Sequence, residues 1–263
     1  MLIYYIGKNK TSVNTFANIQ WGLSLISTVK YSHAFQPIIN IDSHTIISYE
    51  VLLRGRNNES PMSVFNQIPR ESLMEFDQTS RERAMALAVR LGLKCSLNFN
   101  FTPRSIVFED GKYIEDTIAA ANKYGIHNKQ LVLELTEGEA VDSAIDLQRV
   151  LNQARRYGMK IVFDDFGVGY ARLNLLADIQ PDWLKLDMYL LRNIEQHAAR
   201  QSIVRAICGI CLDLGVDIVA EGVETLAEFR FLRGLDISLY QGYFFAKPGL
   251  ECLPAVSKLY MEK

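Results

Sequence analysis

The sequence predicts an α/β fold of the TIM-like (β/α)8 type, because short apolar runs alternate with longer amphipathic stretches along most of the chain. Eight runs have the length and composition of strands, and they cover 34–41, 46–53, 94–99, 131–135, 160–164, 183–186, 217–220 and 239–244. An open doubly wound sheet is the alternative. No G-x-G-x-x-G follows the first run, which argues against the dinucleotide-binding form of that sheet.

The stretches between these runs repeat their apolar residues at helical spacing. They cover 72–91, 114–124, 140–157, 190–214 and 226–233. Most of them end near a glycine, as helices do, at Gly92, Gly125, Gly158 and Gly215.

Residues 11–29 carry no charge, so a membrane span must be considered for this segment. The segment is rich in Ser, Thr, Asn and Gln, and Phe16, Ile19, Leu23 and Ile26 recur at helical spacing. We therefore expect residues 1–30 to form an N-terminal extension with an amphipathic helix that packs on the domain. Residues 31–263 are expected to form the main domain.

Composition favours one large domain that works without polymeric nucleic acid. The chain has 263 residues, a net charge of −2 and a pI of about 6.1, whereas nucleic-acid binding usually needs a basic face. No signal peptide is recognised before the four cysteines, so a cytoplasmic location is expected. Cys208 and Cys211 form a C-x-x-C within a helical stretch, and we expect the cysteines to be ordinary buried residues.

Polar side chains stand at or near the end of nearly every predicted strand. They are Glu50, Asn98, Asn100, Glu134, Glu137, Asp164, Asp165, Lys185, Asp187, Glu221, Glu224 and Gln241. Any one of the acids could simply cap the next helix. In a barrel, however, these ends converge on one rim, and converging carboxylates repel unless cations lie among them. Oxygen ligands with almost no His or Cys favour Mg²⁺ or Mn²⁺ over Zn²⁺.

The adjacent Asp164 and Asp165 are the sharpest element of this pattern. At a strand end both side chains can turn inward, and one of them could bridge two metals in the arrangement used for phosphoester hydrolysis. Lys185 could orient the attacking water or a phosphate oxygen, or it could only balance the acids. Arg54 lies on the same side of its strand as Glu50, where a guanidinium could bind phosphate or pair with a neighbouring acid.

Eight short motifs occur in order along the chain. They are F-Q-P-I at 35–38, E-V-L-L-R at 50–54, N-F-T-P-R at 100–104, E-L-T-E at 134–137, D-D-F-G-V-G-Y at 164–170, K-L-D at 185–187, E-G-V-E at 221–224 and Q-G-Y-F-F at 241–245. With this set, the chain resembles the EAL-domain cyclic di-GMP (c-di-GMP) phosphodiesterases from about residue 33 to its C-terminus.

The resemblance implies a barrel whose first strand is antiparallel to the others, and hydrolysis of c-di-GMP to linear 5′-pGpG with two Mg²⁺ or Mn²⁺ ions per active site. It implies bacterial signalling in biofilm and motility control, a homodimer formed around the loop 165–172, and regulation that could come through a protein partner. The implied metal ligands are Glu50, Asn100, Glu134, Asp164, Asp165 and Glu221. The implied catalytic residues are Lys185, Glu221, Gln241 and Glu137, and the implied substrate contacts are Gln36 and Arg54.

Two departures from the family pattern concern Val51, which replaces the alanine of the E-A-L motif, and the loop around 168–172, where many members have small hydroxyl residues. Val51 should face away from the site.

A catalytically silent c-di-GMP receptor or interaction domain on the same fold is the main alternative function. Without the resemblance, the carboxylate rim also permits a metal-dependent enzyme for another phosphoester or for an enolisable acid.

Overall fold

The computed structural model describes residues 29–136, 144–167 and 173–257. Within these ranges, nine strands form one sheet: β1 Tyr31–Asn40, β2 Thr45–Gly55, β3 Ser96–Phe101, β4 Leu131–Leu135, β5 Lys160–Phe166, β6 Trp183–Leu186, β7 Asp217–Ala220, β8 Leu239–Tyr240 and β9 Gly249–Leu250. The eight predicted strands are therefore all present, and β9 is an additional short strand that the apolar pattern did not indicate.

The sheet closes into a barrel. Strands β2 to β8 pair in parallel in chain order, and β1 closes the ring by pairing antiparallel with both β2 and β8. The predicted barrel and its antiparallel first strand are confirmed. Strand β9 pairs antiparallel with the half of β1 that lies nearer the site, through Ala34 and Phe35.

Helices lie on the outside of the barrel between the strands. They are α1 Pro61–Phe65, α2 Leu73–Arg90, α3 Pro103–Val107, α4 Lys112–Lys123, α5 Ala144–Arg156, α6 Leu173–Ile179, α7 Met188–Leu191, α8 Ala198–Leu214 and α9 Leu226–Arg233. Their buried faces pack on the outward side chains of the strands in one large apolar cluster that contains Phe99, Leu133, Phe163 and Leu184.

The prediction of one helix over 190–214 was wrong. The chain forms the short α7, then turns at Asn193, whose φ of 50° is left-handed, and begins α8 only at Ala198. A left-handed residue cannot continue a right-handed helix, so the apolar periodicity on both sides of Asn193 belongs to two separate elements. The end of the eighth strand was also placed too late. It stops at Tyr240 because Gly242, with a φ of 155°, brings the backbone close against that of Val223.

The cysteines are less uniformly buried than the sequence suggested. Cys211 is buried in α8, whereas Cys95 and Cys208 are half-buried and Cys252 is exposed. Burial raises the pKa of the Cys95 thiol to about 11 and that of Cys211 to about 12, so both stay protonated at neutral pH. Cys252 corrects the expectation of buried cysteines because it follows β9 at the surface.

Two sequence-based expectations lie outside the described residues. The N-terminal helix was expected within residues 1–30, of which only Val29 and Lys30 are described, and the loop beyond Gly167 is undescribed from 168 to 172. Within the described ranges, no helix combines the length and the apolar character needed to cross a membrane.

Candidate active site

The barrel interior is organised in two layers of inward-facing side chains. Because side chains alternate along a strand, residues two apart point to the same side, and strands β1 to β8, with the residue that directly follows β7 and β8, contribute to both layers. The lower layer is largely apolar, with Ile38, Val132, Val162, Trp183, Val219 and Leu239 packed together. The upper layer, at the carboxyl ends of the parallel strands, is wholly polar: Gln36, Glu50, Asn100, Glu134, Asp164, Lys185, Glu221 and Gln241. This is the rim at which barrel enzymes place their active sites.

Lys185 lies at the centre of the upper layer. Its side chain is completely buried, and its Nζ lies 2.8 Å from Asp164 Oδ1, 3.2 Å from Glu221 Oε2, 3.3 Å from Glu50 Oε2 and 3.4 Å from Glu134 Oε1. One ammonium is thus shared by carboxylates from four different strands or strand ends. These four contacts fit the alternative role of Lys185, in which it balances the charge of the local acids.

Three amide side chains fix the orientation of the acids and of one another. Asn100 Nδ2 donates to Glu50 Oε1 at 3.3 Å, while Gln241 Nε2 donates to Glu50 Oε2 at 2.6 Å and is 3.3 Å from Gln36 Oε1. Gln36 in turn donates to the carbonyl oxygen of Ala246 at 3.2 Å. The first, second, third and eighth strands are therefore linked directly across the mouth of the barrel.

Asp164 and Asp165 both reach the site because β5 ends irregularly. The register between β5 and β6 shifts between Phe163 and Phe166, and Asp165 adopts a left-handed φ of 53°. This local departure from the strand lets adjacent side chains converge instead of pointing to opposite faces. Carboxylate oxygens of Asp164, Asp165 and Glu221 lie within 4.8 Å of one another, close enough to bind a common metal ion.

Burial is the largest influence on the protonation of the acids in the site. Burial raises the pKa of Glu134 to about 8 and that of Glu221 well above its ordinary value, although the Lys185 ammonium acts against both shifts. Burial and the neighbouring Asp164 carboxylate raise the pKa of Asp165 to about 6. Burial also disfavours ionised Asp164, but Lys185 outweighs it and holds that pKa below its usual range.

The side chains of this layer fit divalent cations. Among the described residues, the four carboxylates of this layer and the adjacent Asp165 face one ammonium, so the site is strongly acidic unless further cations enter it. Glu134 Oε2 and Gln241 Oε1 are buried and have no hydrogen-bond partner within the described residues, a costly arrangement for polar atoms that lack a ligand. Carboxylate and amide oxygens are the ligands that Mg²⁺ and Mn²⁺ prefer. The acidic cluster and its oxygen-only ligands indicate the use of divalent metal.

Arg54 lies at the edge of the site without an ion-pair partner in the part of the chain that the structure describes. Its guanidinium is half-buried, and Nη1 donates to the carbonyl oxygen of Leu53 at 2.8 Å. Burial lowers its pKa, and the Glu50 carboxylate opposes that shift. Arg54 therefore forms no ion pair among the described residues, although the Glu50 carboxylate attracts it, and its remaining N–H donors are available to a phosphate.

Three other acids lie at strand ends, and the two that the structure describes have different hydrogen-bond and ion-pair partners. Asp187 caps α7, since its Oδ1 accepts a hydrogen bond from Tyr189 N at 2.6 Å, as the capping interpretation predicts. Glu224 does not cap α9; Thr225 does, and Glu224 instead pairs with Arg192 at 2.9 Å. Glu137 lies outside the described residues.

Glu228, a residue that the pattern of polar strand ends does not include, fixes the loop that carries Glu221. Glu228 is 1% exposed, and its carboxylate accepts hydrogen bonds from Glu224 N at 2.9 Å, Thr225 N at 3.1 Å and Asn193 N at 3.0 Å. It also lies 3.2 Å from Arg192 Nη1. The loop after β7 is thereby tied to the segment after α7. The signal in the sequence is T-x-x-E at 225–228, the pattern of a capping box.

The chain matches the family described as EAL domain over residues 24–248. Among solved structures, it is similar to a standalone versatile EAL protein from Vibrio cholerae O395 in its c-di-GMP-bound form, with 41% identity and a TM-score of 0.84 over 90% of this chain and 99% of that chain. It is also similar to Klebsiella pneumoniae BlrP1 in a manganese and cyclic di-GMP complex, with 34% identity and a TM-score of 0.81 over 87% of this chain and 58% of that chain.

The names of two curated relatives describe different functions. The blue light- and temperature-regulated antirepressor BluF of Escherichia coli is 29% identical over 89% of this chain and 58% of its own length. A cyclic di-GMP phosphodiesterase of Pseudomonas aeruginosa is 31% identical over 82% of this chain and 38% of its own length. The chain therefore spans well under two thirds of the length of these curated relatives.

Proposed function

Because the chain belongs to the EAL domain family, we propose that it is a metal-dependent phosphodiesterase that hydrolyses c-di-GMP to linear 5′-pGpG. The observation that carries this proposal is the buried Lys185 ammonium among four carboxylates, beside the cluster of Asp164, Asp165 and Glu221. The complete set of polar side chains in the upper layer supports catalysis rather than binding alone. The relative and the solved structures named above for c-di-GMP support the choice of substrate.

Two Mg²⁺ or Mn²⁺ ions would be held by Glu50, Asn100, Glu134, Asp164, Asp165 and Glu221. Two divalent cations together with Lys185 would bring the charge of the five carboxylates close to neutrality, which supports this number. When bound, such ions polarise the scissile phosphate and supply an activated water at neutral pH.

Lys185 is proposed to orient the attacking water or a phosphate oxygen by donating hydrogen bonds. Burial lowers its pKa, but the surrounding carboxylates outweigh that effect and raise it well above its ordinary value. The side chain therefore stays an ammonium and cannot itself accept a proton. Glu221 is the most exposed of the four carboxylates around it, with 25% of its side chain accessible, and is the one that an incoming water can reach most easily.

Gln241 and Gln36 are proposed to act at the opposite side of the mouth. Gln241 is held on Glu50 and can present its unpartnered Oε1 to the attacking water. Gln36 and Arg54 are proposed to contact substrate, Arg54 through a phosphate oxygen. Glu137 is proposed to brace the loop after Asp165.

In the reaction a water oxygen bonds to phosphorus as the bond from phosphorus to O3′ breaks, which leaves a 5′-phosphate on one nucleotide.

The wider biological setting is part of the same proposal. We place the enzyme in the bacterial cytoplasm, where it would lower c-di-GMP in the control of biofilm formation and motility. A homodimer around the loop 165–172 and a regulatory protein partner remain predictions from the family resemblance. Polymeric nucleic acid is not expected as a ligand, because the chain has a slight negative charge.

A catalytically silent receptor or interaction domain is the second candidate. It is favoured by one observation, the similarity to BluF, which is named as an antirepressor. Tight binding of c-di-GMP without turnover would support this candidate.

The deciding experiment is a product assay. Purified protein is incubated with c-di-GMP and either Mg²⁺ or Mn²⁺, and the nucleotides are separated by chromatography, with Glu50→Gln as the inactive control. Linear pGpG is expected from the unaltered chain alone. If c-di-GMP stays intact with both metals although the protein is folded, the phosphodiesterase proposal fails and the receptor candidate replaces it.

A further inference from the structure

Two polar residues interrupt the apolar layer that lies directly beneath the site. On six strands the inward side chain of this lower layer is apolar, namely Ile38, Val132, Val162, Trp183, Val219 and Leu239. On β2 and β3 the corresponding residues are Ser48 and Asn98, two positions before Glu50 and Asn100. Both are completely buried. Burying polar groups is unfavourable unless they are fully hydrogen-bonded, so their presence in this layer requires a reason.

The two residues form a hydrogen-bonded relay that ends on Glu134. Ser48 Oγ donates to Asn98 Oδ1, and Asn98 Nδ2 donates to Glu134 Oε1 at 2.8 Å. Because the Ser48 hydroxyl donates to the amide oxygen of Asn98, the NH₂ group of that amide faces the Glu134 carboxylate. All three side chains are completely buried and come from three adjacent strands.

This relay distinguishes the two oxygens of Glu134. Oε1 accepts from Asn98 and lies 3.4 Å from Lys185 Nζ, whereas Oε2 has no hydrogen-bond partner among the described residues. A carboxylate with one oxygen anchored from below presents the other in a fixed direction. Groups that hold a metal ligand from behind in this way set both its orientation and its affinity for the metal.

We propose that Asn98, oriented by Ser48, is a positioning residue that fixes Glu134 so that Oε2 is presented to a divalent cation. This inference rests on the proposed function, since it assigns Glu134 to metal binding. Asn98 itself touches neither metal nor substrate and acts only through Glu134.

The test measures metal binding as well as turnover. Asn98→Leu keeps the branching of the side chain at Cγ, with a larger volume, but removes the donor, and we expect the half-saturating Mn²⁺ concentration to rise about tenfold in calorimetric titration and in the product assay. Ser48→Ala leaves the amide in place but frees it to turn, so a smaller rise in the same direction is expected. Because Ser48 acts through Asn98, the double variant should resemble Asn98→Leu rather than show the two effects combined.

The variants Asn98→Ser and Ser80→Ala distinguish an effect on the position of Glu134 from an effect on the stability of the fold. Asn98→Ser retains a hydroxyl donor, but its Oγ is one bond closer to the backbone than Asn98 Nδ2, so it should recover only part of the metal affinity that Asn98→Leu loses. Ser80→Ala also removes a buried hydrogen bond, the one between Ser80 Oγ and His33 Nε2 at 2.8 Å. This pair of residues lies between α2 and β1, away from the site. Ser80→Ala should lower the melting temperature without changing the half-saturating Mn²⁺ concentration.

The outcomes distinguish this inference from the proposed function. If the unaltered chain binds Mn²⁺ and Asn98→Leu and Ser48→Ala bind it equally well, the positioning role is wrong, whether or not c-di-GMP is hydrolysed. If Asn98→Leu does not fold, Ser48→Ala decides the question by the same measurement. If the unaltered chain binds Mn²⁺ with the predicted dependence on Asn98 but releases no pGpG, the phosphodiesterase proposal alone fails.

Discussion

Lys185 Nζ lies 2.8 Å from Asp164 Oδ1, and this pair joins the ends of β5 and β6 in the completely buried centre of the barrel mouth. Asp164 is also adjacent to Asp165, whose left-handed backbone turns a second carboxylate toward Glu221. The pair therefore links the Lys185 ammonium to the acidic cluster that fits a metal. Two consequences follow, one for catalysis and one for metal binding.

Replacing Lys185 by Met should abolish hydrolysis while c-di-GMP still binds. The substitution keeps the aliphatic stem but removes the donors aimed at the attacking water or phosphate oxygen, and we expect a loss of turnover of about 10²–10³-fold. Product formation and calorimetric c-di-GMP binding measure the two effects separately. Lys160→Met is a matched control, since Lys160 begins β5 at the far end of the barrel and lies over the Trp183 ring. A comparable loss of binding in Lys185→Met would show instead that Lys185 holds the phosphate.

Removing the Glu50 carboxylate, which is a proposed metal ligand, should weaken metal binding. Glu50→Gln preserves the shape of a side chain that faces Asn100, Gln241 and Lys185, but removes its charge. We expect turnover to fall below detection at saturating c-di-GMP and the Mn²⁺-dependent rise in melting temperature to shrink. Glu82→Gln, on an exposed ion pair with Lys123, should retain both properties. An unchanged Mn²⁺ response in Glu50→Gln would exclude Glu50 as a ligand.

Calcium should inhibit the enzyme. Ca²⁺ takes longer, looser oxygen coordination than Mg²⁺, which suits a two-metal geometry badly, so it should occupy the site without supporting hydrolysis. Adding Ca²⁺ to a Mn²⁺-supported product assay should lower the rate, and excess Mn²⁺ should restore it. Hydrolysis supported by Ca²⁺ alone would contradict this geometry.

The sequence predicted the strands and their inward faces well, because alternation and strand length are local properties. The predicted runs at 131–135, 183–186 and 217–220 match β4, β6 and β7 residue for residue. Strand parity also placed Glu50 and Arg54 on one side. The irregular end of β5 could not be predicted, because the register shift arises from pairing with β6. Likewise, Glu228 was missed because its partners at Arg192 and Asn193 are distant in sequence.

Arg54 should contribute to substrate affinity more than to the chemical step. Its guanidinium makes no ion pair within the described residues and can offer N–H donors to a phosphate. Arg54→Ala is expected to raise KM by about 10- to 150-fold with a smaller change in kcat, which corresponds to the loss of a charge-assisted hydrogen bond of about 1.5–3 kcal/mol. Arg56→Ala is the matched control, because Arg56 is exposed two residues further along the chain. Equal KM values in the two variants would remove Arg54 from the substrate site.

The stability of the fold should depend on His33 below neutral pH. His33 is 3% exposed on β1, and burial together with the positive charge of Arg83 lowers its pKa from 6.5 to about 3. In the folded chain it stays neutral, whereas in the unfolded chain it takes up a proton below pH 6.5. Its contribution to stability is therefore complete above pH 6.5 and is lost as the pH falls toward 3, by about 1.4 kcal/mol per unit within that window.

Denaturant unfolding at pH 7.5, 6.5, 5.5 and 5.0 measures this contribution, and His33→Gln should flatten the decline below pH 6.5 relative to the unaltered chain. Glutamine retains a donor and an acceptor for Ser80, so the comparison isolates the titration from the hydrogen bond. Ser80→Ala should be less stable at every pH but keep the decline, because burial rather than the hydrogen bond is the larger cause of the pKa shift. If the decline were the same in His33→Gln as in the unaltered chain, the acid sensitivity would come from the carboxylates and not from His33.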